Sequence, residues 1–189
     1  DIAIGPLTTI LPFTVSAFTM RTVADEQRTG TLELLLTSPV RDWEFIVGKW
    51  LGAVFFFLFL LAVTWIYPII LNNLVEPGID QGLMISGYLG IFLLVSSFLA
   101  IGVAVSSFFS NQIAAFFVTM GVVVLLWIIQ APESAMSATG GLLSYLSLSE
   151  HLDPFYQGVI ELKNVVYYLS VISFALFLGS LNIEMKRWR

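Results

Sequence analysis

With 189 residues, 58% hydrophobic and only 11% charged, and a mean hydropathy of +0.91, the chain is too apolar for a water-soluble domain, which carries about twice that charge. The length holds five or six membrane spans with short loops but no soluble catalytic domain of ordinary size, so any sizeable enzymatic engine sits on another chain. The net charge of −5 comes from loops and argues against nucleic-acid binding, and the absence of cysteine removes disulfide frameworks and thiolate metal sites.

Uncharged stretches of about 20 residues mark five candidate spans in an all-α polytopic membrane protein, read as a single transmembrane domain over 1–189. The first, 2–20, contains Pro6 and Pro12, which a spanning helix tolerates when neighbours satisfy the freed carbonyls. It opens one residue after the chain begins, without a basic leader or a cleavage site, so a preceding segment is expected.

The loop 21–49 follows. Gly30 breaks a helix leaving the membrane, and Thr31 is read as the N-cap of a short helix with Glu33 in its first turn and Leu32, Leu35 and Leu36 on one face. Ser38-Pro39 is a second cap-and-first-turn pair, restarting a helix that runs along the interface through Trp43. On physics alone an ordinary interfacial loop is at least as good a reading as a docking element.

The second span, 50–71, ends near Pro68, where a kink is expected. From Gln81 to Pro132 fifty-two consecutive residues carry no Asp, Glu, Lys, Arg or His. A helix of that length would reach roughly 78 Å against a hydrocarbon core of about 30 Å, so the run crosses twice. The spans are 83–109 and 112–129, with the turn at Ser106, Ser107, Ser110, Asn111 and Gln112. The outer loop 130–164 is rich in Leu, Tyr and Phe and is read as re-entrant helices in the outer leaflet. There Asp153-Pro154 starts a helix with Phe155, Val159 and Leu162 on one side. The last span is 165–183.

Orientation follows from the basic residues. Arg21, Arg28, Arg41, Lys49, Lys186, Arg187 and Arg189, seven of the eight, fall on one side of this weave, which the positive-inside rule makes cytoplasmic. The opposite side holds a mostly acidic set, Glu76, Asp80, Glu133, Glu150, Asp153 and Glu161, with Lys163. Trp43, Trp50, Trp127 and Trp188 sit near the expected boundaries, as amphipathic rings favour the headgroup zone.

Motifs of chemistry are few. Gly48-Lys49 fails as a phosphate loop, because Trp50 replaces the Ser or Thr and Trp43 stands where the leading Gly belongs. His151, the sole histidine, has Glu150 and Asp153 beside it, yet one imidazole without a second His or Cys is more often a loop residue than a ligand. No catalytic, cofactor or metal residue is therefore assigned. No span carries an interior acid or base, which counts against an ion-coupled carrier. Small residues at four-residue spacing, Gly48 with Gly52, Ser86 with Gly90 and Gly102 with Ser106, are candidates for close helix packing.

Met20-Arg21, the stretch Glu26 to Gly30 ahead of Thr31-Leu-Glu-Leu-Leu-Leu-Thr-Ser-Pro39, Trp43-Glu44, Gly48-Lys49, and the outer run Leu143 to His151 with Phe155 and Gly158 to Ile160 carry a resemblance. Over nearly the whole chain the sequence resembles the membrane subunit of type-2 ATP-binding-cassette (ABC) transporters, close to the gliding-motility-type permeases. The resemblance implies six spans per protomer, and hence one before the five read here. It implies a coupling helix at Thr31 to Leu36, approached through Glu26, Arg28 and Gly30, that docks on a separate ABC ATPase subunit carrying ATP and Mg. It further implies a second permease protomer, homo- or heterodimeric, and a bacterial or archaeal cytoplasmic membrane. The expected function is that of an exporter permease. The alternatives are a non-transport anchor or sensor whose loop docks a signalling partner, and, less favoured, an ion-coupled transporter.

Overall fold

The computed structural model describes residues 4–37, 40–74, 80–129 and 145–187, all helix and connecting turn with no strand among them. In chain order the helices are α1 (Ile4–Thr19), α2 (Ala24–Thr29), α3 (Thr31–Leu36), α4 (Asp42–Thr64), α5 (Ile66–Leu74), α6 (Gln81–Phe108), α7 (Gln112–Ile128), α8 (Asp153–Tyr156) and α9 (Leu162–Arg187). Among the described residues three stretches are long and apolar enough to cross a bilayer, Asp42–Leu74, Gln81–Phe108 and Leu162–Arg187, with α7 a shorter apolar helix. The architecture is that of an all-α polytopic membrane protein.

The bundle is organised around α6. In its most apolar window 83% of residues are buried, against 11% in the α4–α5 stretch, so α6 is the axis and α4–α5 presents its Phe-rich side outward. Helices α1, α4, α7, α8 and α9 all pack on α6, and α9 also packs on α4. Leu94, Phe98, Leu99 and Ala100 of α6, with Val15, Val123, Phe155 and Tyr168, form the main apolar core. Small residues let the neighbours approach. At Gly102 a side chain would collide with Thr19 of α1, and at Gly179 it would meet the Ala104 backbone at 3.2 Å.

The turn between α6 and α7 falls where the polar cluster predicts it, and Asn111 caps α7 by accepting the Ile113 amide hydrogen at 2.9 Å. The expected kink near Pro68 is a break at Trp65 between α4 and α5. Proline has no amide hydrogen, so the Thr64 carbonyl four residues earlier lacks its helical donor, and the Tyr88 hydroxyl of α6 donates to it at 3.1 Å.

Two boundaries differ from expectation. The helix after the loop begins at Asp42, not at Pro39, and Ser38-Pro39 lies outside the described residues. Its start is closed by the Arg41 amide donating to Glu44 Oε2 at 3.1 Å, and it runs unbroken into the membrane stretch. At the far end α8 is only four residues long: the chain turns at Gly158, φ 82°, so the helix stops before Val159. Phe155 is fully buried while Val159 and Leu162 are exposed, and the expected three-residue face does not exist. What the segment 145–161 does is pack into the end of the bundle. The Ser86 hydroxyl donates to the Phe155 carbonyl at 2.7 Å, the Leu148 amide to the Leu126 carbonyl at 3.0 Å, and the Tyr168 hydroxyl to the Leu148 carbonyl at 2.8 Å. Residues 130–144 of the expected outer loop lie outside the described residues.

Lys163 and Thr29 lie at opposite ends of this bundle. Cysteines introduced singly at these two exposed positions of the cysteine-free chain are expected to label from opposite sides of sealed vesicles, with Thr29→Cys on the side that the positive-inside rule makes cytoplasmic. Labelling of both from one face would invert or break the assigned orientation.

Candidate functional site

The basic end of the bundle is held together by polar contacts that converge on the end of α6. The last four carbonyls of a helix have no intrahelical donor and carry its negative partial charge, so donors and cations are favoured there. The Ser107 carbonyl receives three: Gln27 Nε2 of α2 at 2.6 Å, Asn182 Nδ2 at 2.6 Å and Lys186 Nζ at 2.8 Å, both from α9. One turn of α9 separates Asn182 from Lys186, so both reach the same atom from one face.

The adjoining Ser106 hydroxyl completes the start of α2. Val23 offers no side-chain cap, and the orphan amides of Val23 and Ala24 donate to Ser106 Oγ at 3.1 and 3.0 Å. Asp25 and Glu26 then occupy the first turn, where the helix dipole favours acids. Asp25 accepts from the Gln112 amide of α7, and Glu26 pairs with Lys49 of α4 at 2.5 Å in a half-buried position. Arg28 pairs with Asp25 at 3.4 Å, but that pair is exposed and contributes little. Arg187 of α9 binds Asp42 at 3.0 Å and the Val40 carbonyl at 3.1 Å, tying the start of α4 to the end of α9. Helix α2 is thus fastened to α4, α6 and α7 at once.

Gly30 ends α2 with φ 74°, a left-handed conformation that reverses the chain directly into α3. No residue is left over to cap α3, so Thr31 is its first residue rather than its N-cap. Its hydroxyl instead turns back to Thr29 Oγ1 at 3.0 Å and the Glu26 carbonyl at 3.4 Å. Leu32 is 5% exposed and packs with Val23, Ile46, Val103 and Ile183 in a second apolar cluster, while Glu33 points outward and is exposed. Helix α3 is therefore anchored by Leu32 and displays Glu33. The side chains of Leu35 and Leu36 lie outside the described residues.

Of the residues singled out in the sequence, Glu26, Arg28, Gly30, Thr31, Leu32 and Glu33 come together in this α2–α3 hairpin. The packing residues divide. Ser86 and Gly90 receive the short helix α8: a side chain at Gly90 would come within 2.7 Å of Phe155 Cβ, and the Ser86 hydroxyl donates to the Phe155 carbonyl. Gly48 and Gly52 are exposed, with nothing within 4 Å of an added Cβ, so no neighbour among the described residues uses them. Gln27, Ser107, Asn182 and Lys186 were not foreseen as a network. The available signal was the polar pair Asn182 and Lys186, four residues apart at the end of an apolar helix.

An α-helical bundle with long apolar helices and a surface hairpin at its basic end defines a membrane component. The family described as ABC-2 family transporter protein matches residues 2–181, and the chain belongs to that family. It is accordingly a membrane permease of ABC-transporter type, a setting that implies an ABC ATPase partner. No curated protein and no solved structure matches the chain.

Proposed function

We propose that this chain is the permease subunit of an ATP-driven exporter, in which two protomers form the translocation path and α3 is the docking element for a separate ATPase subunit. The observation that supports this reading is the fastening of the α2–α3 hairpin to the ends of the bundle helices through Ser106, Ser107, Glu26–Lys49 and Leu32, with Glu33 left outward. A push on α3 passes directly to α4, α6, α7 and α9, because each has a hydrogen-bonded or packed partner in the hairpin or its hub. The bacterial or archaeal cytoplasmic membrane and the kinship with gliding-motility permeases belong to the same proposal.

The test is to purify the full-length permease from its own membrane with whatever is bound to it. The expected outcome is a stoichiometric ABC ATPase whose ATP turnover changes on reconstitution with the permease. Isolation without any ATPase, and no effect on turnover, would favour an anchor or sensor. The dimer is read in the same preparation. Gly52 faces open space within the protomer, so Gly52→Leu leaves the fold intact and weakens only a contact between protomers. An unchanged oligomer in Gly52→Leu would place the dimer contact elsewhere.

A further inference from the structure

The stretch Asp42–Leu74 is seated in the bundle over its first part only. The buried residues of α4 are Ile46, Ala53 and Val54, and Trp50 Nε1 donates to the Ser96 carbonyl of α6 at 3.0 Å. From Phe55 through Leu74 no residue is buried, and α5 has no buried residue along its whole length. A segment with so few buried contacts is drawn from the low-stability end of a fold, where movement is cheapest.

Between the seated and the unseated parts the helical ladder changes. In a regular helix the Leu61 carbonyl takes the Trp65 amide, but here it accepts from the Thr64 hydroxyl at 2.7 Å. The Trp65 amide turns back three residues instead of four, to the Ala62 carbonyl at 3.3 Å, which is a 3₁₀ step. The Thr64 carbonyl then has no amide to receive, because the residue four positions on is Pro68. Within one turn two carbonyls take side-chain hydroxyls in place of backbone amides, and a helix bends at such a break.

One side chain of α6 bridges this break. The Tyr88 hydroxyl donates to the Thr64 carbonyl at 3.1 Å, and the Tyr88 ring lies 5.5 Å from that of Trp65, tilted by 59°. In the apolar part of a bilayer no water stands in for either partner. The hydroxyl and the carbonyl are therefore paired together or orphaned together, so the contact has two positions, engaged and released. We infer that α5 is a hinged arm that pivots at Trp65, with Tyr88 as the latch that holds it to α6. Release carries α5 away from the start of α6 while Ile46, Trp50, Ala53 and Val54 stay seated, so this end of the bundle changes shape without disturbing the hairpin. The inference needs the membrane setting and does not depend on docking of an ATPase.

The experiment is pulsed dipolar electron spin resonance on the full-length permease in lipid nanodiscs, with spin labels on introduced cysteine pairs. Ile70→Cys with Val166→Cys reports the arm, and Leu51→Cys with Phe177→Cys reports the seated part; all four positions are exposed. The arm pair is expected to show a main distance and a minor second one. Tyr88→Phe keeps the ring and removes only the hydroxyl, and should raise the minor population roughly fivefold, as loss of one hydrogen bond of ordinary net strength does. The second pair should not change. Pro68→Ala returns an amide to the Thr64 carbonyl, so the arm pair should collapse to a single distance with or without Tyr88→Phe. An arm distribution unaltered by Tyr88→Phe would overturn the latch. Equal broadening of both pairs would show a general loosening and overturn the hinge, as would two populations that persist in Tyr88→Phe with Pro68→Ala.

Discussion

Glu33→Lys is expected to uncouple ATP turnover from transport while leaving the permease folded and inserted. Glu33 stands exposed in the first turn of α3, with no ion pair to its carboxylate among the described residues. In the proposed docking, reversing it places a cation where the ATPase groove would accommodate an acid, and like-charge juxtaposition at a contact costs more than a missing attraction. Glu33→Gln should therefore retain partial activity, whereas Glu33→Lys loses at least about tenfold, equivalent to roughly 1.4 kcal/mol at the contact. Leu32→Asp supplies the contrast, one position away. Leu32 is buried against Val23, Ile46, Val103 and Ile183, and an unpaired carboxylate there disrupts the apolar cluster that seats the hairpin. It should lower the melting temperature as well as activity, while Glu33→Lys lowers activity alone. Normal transport and a normally bound ATPase in Glu33→Lys would show that α3 is a connector and not the docking element.

The contrast between these neighbours also marks how far the sequence could be read. Spans are legible because the bilayer demands long uncharged runs, and the α6–α7 turn because Ser, Asn and Gln interrupt one. Gly30 is legible as a break because only a residue without Cβ takes φ 74° comfortably. The direction in which the short α3 faces is not legible. Six residues give less than two turns, and whether Leu32 points to the bundle or to a partner depends on Ile46, Val103 and Ile183, remote in sequence. The Ser107 hub is hidden for the same reason. Its donors come from Gln27, Asn182 and Lys186, 75 to 80 positions away, and the acceptor is a backbone carbonyl that no residue type announces. At the outer end the failure was of another kind. The spacing of Phe155, Val159 and Leu162 suggests one face only if the helix continues through Gly158, and the positive φ there ends that face after Phe155.

Gly102→Leu is expected to destabilise the bundle and to release the hairpin in the same event. An added Cβ at Gly102 would lie 2.6 Å from Thr19 Cβ and 2.8 Å from Thr19 Cγ2, closer than unbonded carbons approach. Thr19 cannot swing aside freely, since it is fully buried and its hydroxyl donates to the Val15 carbonyl at 2.9 Å. The strain must move α1 away from α6, at a cost of about 1–3 kcal/mol for an overpacked site. Separation of the two helices carries the chain beyond Thr19 with it, and the amides of Val23 and Ala24 leave Ser106 Oγ. Faster hydrogen exchange at Val23 and Ala24 should accompany the lower melting temperature, and ATPase coupling should fall although no docking residue has changed. Gly102→Ala is the milder form, and Thr19→Gly in the same chain removes the whole colliding side chain, Cβ included. The double substitution should recover much of the stability lost in Gly102→Ala alone, because the two residues share one contact and their effects are not additive. Additive losses, or protection of Val23 and Ala24 unchanged in Gly102→Leu, would show that the α1–α6 contact does not control the seat of the hairpin.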